Sequence, residues 1–151
     1  MSLKKEANKF CVCAANDFGS TSYKPVIIVP AMLVAGGLSL ANIKRFLEDG
    51  VYEERPDQMS VVQPPFVSIT RRICNKQVTF DVYDSISNFT PSRWQRIVAV
   101  FVNGQDWQFR EWKYGNEKRE LFARVRGYFT HYANTQIPPL INSWNVKRLE
   151  L

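Results

Sequence analysis

Six consecutive apolar residues, Ile97-Val98-Ala99-Val100-Phe101-Val102, constrain this chain more than any other feature. The run is short and rich in β-branched side chains, which favours a strand over a buried helix. A strand with one wet face would alternate apolar with polar residues. This one does not, so both of its faces must be covered, as in the middle of a sheet with a layer on each side. Val26-Ile27-Ile28-Val29 is a second run of this kind, ended by Pro30. Two such strands among helical segments predict an α/β fold: a sheet with helices on both faces.

The rest of the chain fits that frame. Leu40, Ile43, Phe46 and Leu47 share one face of a helix with Gly50 just beyond its end. Residues 51–65 are polar with three prolines and read as a loop. Phe66 to Thr70 and Val78 to Val82 alternate, which predicts an antiparallel pair turning near Asn75. Thr90-Pro91 is an N-cap followed by proline in the first turn of a short helix, with Phe89 and Trp94 placed as a hydrophobic staple. On the central strand, Val98 and Val100 should share one face and Ile97, Ala99 and Phe101 the other. Asn103-Gly104-Gln105-Asp106 is turn chemistry. Asn116 should cap a helix with Leu121, Phe122 and Val125 inward and Gly127 as its stop; Tyr128 to Tyr132 reads as a strand. Ile137-Pro138-Pro139 breaks the chain, and Val146 to Leu151 is a last strand. The polar residues 1–23 read as a flexible leader, and 24–151 as one domain.

No segment reaches the roughly 18 apolar residues of a membrane helix, and no signal-peptide layout follows Lys4 and Lys5. Cys11, Cys13 and Cys74, with the single histidine His131, do not supply a convincing set of about four metal ligands. They are expected to be free thiols in a reducing, nuclear or cytosolic compartment. Residues 24–92 hold seven bases and seven acids, whereas residues 93–151 hold ten bases and five acids, net +5. Eleven of the 20 aromatic residues lie between Trp94 and Trp144. Two readings follow. These aromatics form a surface for anions with flat or apolar parts, such as nucleic acid or phosphorylated peptides. Or they are core, rimmed by solvated bases.

Catalytic motifs fail on their own terms. A phosphate-binding P-loop needs a lysine and a hydroxyl after its glycines. The stretch after the first strand, Pro30-Ala31-Met32-Leu33-Val34-Ala35-Gly36-Gly37-Leu38, offers neither. Asn103-Gly104-Gln105-Asp106 matches two letters of a guanine-reading N-K-x-D motif but has glycine for its lysine. Asp17-Phe18-Gly19 spells a kinase magnesium motif with no His-Arg-Asp anywhere. His131 has no evident nucleophile partner. No enzyme and no cofactor are expected.

From Pro25 onward the sequence resembles the C-terminal domain of the parafibromin family. The resemblance rests on Trp94-Gln95-Arg96-Ile97-Val98-Ala99-Val100-Phe101, with Trp107-Gln108-Phe109 after a short loop, and on Val26-Ile27-Ile28-Val29-Pro30, Asn42-Ile43-Lys44-Arg45-Phe46-Leu47 and Trp144-Asn145-Val146, all in order. Gln95 stands where the family usually has aspartate. The family normally continues past the last strand into a basic segment and a further helix. The chain reads as a fragment or a shortened relative.

The resemblance implies a three-layer, Ras-like (small-GTPase-like) α/β sheet flanked by helices, without a P-loop. It implies a nuclear, non-enzymatic scaffold of the polymerase-associated factor complex. Such a domain helps recruit that transcription elongation complex to RNA polymerase II and transcribed chromatin, through phosphorylated repeats of the polymerase tail and of the accompanying elongation factor. Other subunits of the complex are further partners. A direct nucleic-acid-binding module and a degenerate GTPase-like scaffold remain alternatives. By resemblance, Arg96 and Trp107 belong to an exposed groove. An arginine can grip a phosphate through paired hydrogen bonds, and an indole face can hold a proline or tyrosine of a repeat. The two lie at opposite ends of a strand some ~20 Å long, so they share a groove only if the loop after Val102 folds back along the sheet. The competing reading makes Trp107 a core anchor and pairs Arg96 with a local carboxylate.

Overall fold

The computed structural model describes residues 24–32, 34–54, 65–73 and 75–151. The expected leader 1–23, the three cysteines, Asp17-Phe18-Gly19 and residues 55–64 of the expected loop lie outside them. The two wholly apolar runs become neighbouring inner strands, β1 (Val26–Ile28) and β4 (Ile97–Phe101). The alternating segments become a hairpin of β2 (Phe66–Ile73) and β3 (Lys76–Tyr83), turning through Asn75 at φ 65°. With β5 (Arg126–His131) and β6 (Val146–Glu150) they form one six-stranded sheet in the order β2-β3-β1-β4-β5-β6. Only the β2–β3 pair is antiparallel.

Each face carries its own core. On one, Ile27, Val29, Phe80, Val82, Ala99 and Phe101 pack under Ile43, Phe46 and Leu47 of α1 (Ile43–Asp49). Burying one such side chain is worth about 1.5–3 kcal/mol. Gly50 caps α1 in the left-handed region at φ 72°. The other core joins Val26, Ile28, Val100 and Val102 to Leu121 and Phe122 of α3 (Lys118–Arg124) and to Ile141 of α4 (Pro139–Ser143). The short α2 (Pro91–Gln95) begins as expected. Thr90 Oγ1 accepts from Arg93 N at 3.2 Å, and Phe89 meets Trp94 edge-on at 6.1 Å.

Three expectations are corrected. First, the faces of β4 do not alternate from its start. Val26 pairs with Ile97 but Ile27 pairs with Ala99, so Val98 is an extra residue. That bulge shifts the phase: Ile97 joins Val100 in one core, while Val98 packs with Ala99 and Phe101 against the other. Second, Asn116 does not cap α3 and Gly127 does not stop it. Glu117 occupies the cap position without a side-chain bond, and α3 gives way to extended Val125. Gly127 lies inside β5, where a Cβ would stand 2.5 Å from Val146 Cγ1 and 2.9 Å from Phe122. It is there to let helix and strand close in. Third, Ile137-Pro138-Pro139 starts a helix: Pro139 opens α4, where its missing N–H costs nothing.

Candidate functional site

In an open α/β sheet, ligands gather beyond the carboxyl ends of the strands. Here the loop after β1 is tied down by its own carbonyls. Gly36 O accepts from Thr130 Oγ1 at 2.7 Å. Gly37 O accepts from Asn42 Nδ2 at 3.1 Å and from the Tyr52 hydroxyl at 3.0 Å. Burial holds the Tyr52 phenol well above its usual range, so it stays a donor. Asn42, 2% exposed, also accepts from Ser39 N at 2.8 Å and donates to Glu53 O at 3.0 Å. The glycines of this loop therefore point carbonyl acceptors at protein donors, the opposite of a cradle of N–H groups.

The chain leaving β4 is fixed just as closely. Asn103 Oδ1 accepts from Gln105 N at 2.9 Å, so residues 103–106 form the expected turn, with Gly104 at φ 82°. Gln108 binds back to the start of the turn and the end of β4, accepting from Asn103 N at 3.1 Å and donating to Phe101 O at 3.0 Å. A 3-10 helix (Asp106–Phe109) follows. It turns Phe109 fully inward, against Trp112, Phe122 and Trp144, and leaves Trp107 56% exposed. Trp107 is thus not a core anchor. Lys118 secures the segment: its ammonium meets Asp106 Oδ1 at 2.8 Å, donates to Gly115 O and lies 5.4 Å over the Phe109 ring.

Trp107 stands on a groove of about 450 Å³ shared with Pro30, Asp84, Ser87, Arg110 and Glu111. Asp84 is desolvated there, which raises its carboxyl above the usual aspartate range. Arg96 is elsewhere. It closes α2 at the other end of β4, and its Nη1 donates to Lys24 O at 3.0 Å. Its observed partner is a carbonyl, not the local carboxylate of the competing reading. Five strand residues, roughly 17 Å, intervene. The loop does fold back along the sheet, since Trp112 packs at right angles on Trp94 of α2, 5.5 Å away. It does not carry Trp107 with it, so the structure does not bring the two residues together. Asp84 and Arg110 escaped the sequence reading. The available signal was the position of Asp84 directly after a strand.

Seven of the eleven aromatics between Trp94 and Trp144 are buried, so most of that cluster is core; Trp107 is the exposed exception. Among the described residues there is no helix long and apolar enough to cross a membrane and no cluster of metal-ligating side chains.

Known proteins resemble the chain in both sequence and shape. Residues 21–151 match the family described as RNA pol II accessory factor, Cdc73 family, C-terminal. Cell division control protein 73 of Saccharomyces cerevisiae is 33% identical over 136 residues, covering 88% of this chain and 34% of the yeast protein. The protein of the same name from Schizosaccharomyces pombe is 30% identical over 73% of this chain and 31% of its own length. The Arabidopsis thaliana CDC73 homolog is 30% identical over 84% of this chain and 32% of its own length. The chain thus spans about a third of the curated relatives it matches. The solved structure titled the conserved domain of yeast Cdc73 superposes with a TM-score of 0.75 at 32% identity, covering 85% of this chain and 82% of that one. The mixed six-stranded sheet with flanking helices is its Ras-like fold. With the family match running from before β1 to the end of β6, this chain belongs to the Cdc73 family and carries its C-terminal domain.

Proposed function

We propose that this domain is a nuclear, non-enzymatic binding module of the polymerase-associated factor complex. It helps hold that complex on RNA polymerase II and transcribed chromatin by gripping phosphorylated repeats of the polymerase tail or of its elongation factor. The observation that carries this reading is Trp107. A 56%-exposed indole sits on a rigid, hydrogen-bonded turn at the carboxyl end of the sheet, beside the Arg110 cation, with family membership supplying the context. An indole face offers a platform for a proline or tyrosine of a repeat, and a guanidinium pairs with its phosphate. Arg96 serves as a second, separate contact. The length of β4 alone, roughly 17 Å, separates it from the Trp107 end of the sheet, so a peptide touching both must span about five extended residues or more.

Fluorescence anisotropy with a polymerase-tail repeat peptide, phosphorylated or not, tests this reading. The phosphorylated form should bind tighter, and Trp107→Ala and Arg96→Ala should each weaken it with melting temperatures nearly unchanged. Equal affinity in both folded variants would end the proposal for those residues. Displacement of the peptide by an oligonucleotide of similar charge would favour a nucleic-acid-binding module.

A further inference from the structure

The groove beside Trp107 holds a carboxyl that nothing in the protein uses. Asp84 follows β3 directly, and the carbonyl before it is pinned: Tyr83 O accepts from Val29 N at 2.9 Å. The Asp84 side chain is part-buried on the groove lining. Burial is what holds its carboxyl above the aspartate range; its own backbone N–H alone opposes the rise, and no cation does. Arg110 lines the same groove, yet among the described residues it forms no ion pair with Asp84 or with Glu111. A desolvated carboxyl without a partner costs stability, and a cation brought by a ligand would offset that cost.

The neighbouring polar groups are already committed. Asn103 Oδ1 accepts from Gln105 N, and Gln108 uses its oxygen on Asn103 N and its nitrogen on Phe101 O. Ser85 and Ser87 bond to each other, Oγ to Oγ, at 3.0 Å. Among the described residues, the strong acceptors left on the lining are the carboxylates of Asp84 and Glu111. On the same groove stands an indole with more than half its surface open, and tryptophan is the best aromatic face for a cation. An open indole together with an unpaired carboxyl selects a side chain with an apolar stem and a cationic head, which means lysine or arginine. The same two carboxylates repel a phosphate, which is left to Arg110.

We propose that the Trp107 groove takes a lysine or arginine side chain of the bound segment, its stem on the indole and its charged head at Asp84. The proposal rests on this groove being the peptide site but not on the peptide's phosphate. The test is fluorescence anisotropy of the whole protein with polymerase-tail repeat peptides, phosphorylated and not, in which lysine, arginine, glutamine or glutamate replaces each residue in turn. At one position lysine and arginine should bind about two- to thirtyfold tighter than glutamine, the range for a cation over an indole from exposed to desolvated. Glutamate there should bind weakest. General attraction works against such a gain, because the chain itself carries a net charge of +6. Asp84→Asn should remove most of the lysine-over-glutamine ratio, and Asp84→Lys should reverse the order to favour glutamate. A lysine advantage with no effect of phosphate would support this proposal and sink the phosphate reading. A phosphate effect with lysine and glutamine equal at every position would overturn this proposal alone, and absence of all binding would overturn both. A lysine advantage that persists undiminished in both folded Asp84 variants would also overturn it.

Discussion

Two residues of one 3-10 helix, Trp107 and Phe109, should respond to the same truncation in opposite ways. Phe109 is 0% exposed and has three ring partners, Trp112 at 5.1 Å and Phe122 and Trp144 each at 5.7 Å. Buried Phe→Ala changes cost about 3–5 kcal/mol, and ring pairs add about 0.5–1.5 kcal/mol beyond their area. Phe109→Ala therefore belongs at the upper end, about 4–5 kcal/mol. That is a large share of the about 5–15 kcal/mol that holds a typical domain together, and a fall in Tm on the order of 12–20 °C. Trp107, more than half exposed, has little to lose, and Trp107→Ala should cost under about 1 kcal/mol. Urea titration followed by far-ultraviolet circular dichroism measures both without relying on tryptophan emission. A shift of the midpoint at constant m-value isolates stability. A cost below about 2 kcal/mol for Phe109→Ala, or above about 2 kcal/mol for Trp107→Ala, would refute the division of this helix into an anchor and a displayed indole.

Two further outcomes are expected. Asp84 titrates above the usual aspartate range in the folded state, so folding binds its proton more tightly, and its contribution to stability falls as pH rises through and above that range. Asp84→Asn should raise the Tm at neutral pH and lose that advantage in acid below the usual aspartate range; a lowered neutral-pH Tm would contradict the burial argument. Isothermal titration with GTP and magnesium should show no binding, because the loop after β1 spends its carbonyls on Thr130, Asn42 and Tyr52. A Kd in the low micromolar range, about −8 kcal/mol, would overturn that.

What was legible in the sequence was whatever depends on local chemistry. β-branched runs buried on both faces announced β1 and β4, the Thr90 cap and the Phe89–Trp94 staple fixed the start of α2, and Gly50 marked the end of α1. The misreadings share one cause: the deciding contact comes from far along the chain. Gly127 looks like a helix stop until Val146 and Phe122 close on it, and the Val98 bulge exists only in the pairing with β1. Trp107 and Phe109 are both large aromatics two positions apart, and nothing local says which one faces out. Arg96 was legible as a strand-edge cation, but its engagement with Lys24 O, 72 residues away, was not.

The strand order has a consequence for how the chain is made. Among the described residues β1 pairs with strands that follow it at long range: Val26 sits beside Asp81 on one side and Ile97 on the other, and Ile28 beside Tyr83 and Val100. On a ribosome adding about 5–20 residues per second, the stretch from Ile28 to Phe101 takes roughly 4–15 s to appear. Through that interval one of the most apolar segments of the chain has no completed slot to enter, and among the described residues the β2–β3 hairpin is the only strand pairing that can form from near neighbours. The nascent domain should therefore depend on holding chaperones until β4 emerges, and a pause placed between β3 and β4 should lower its soluble yield more than one placed after β6.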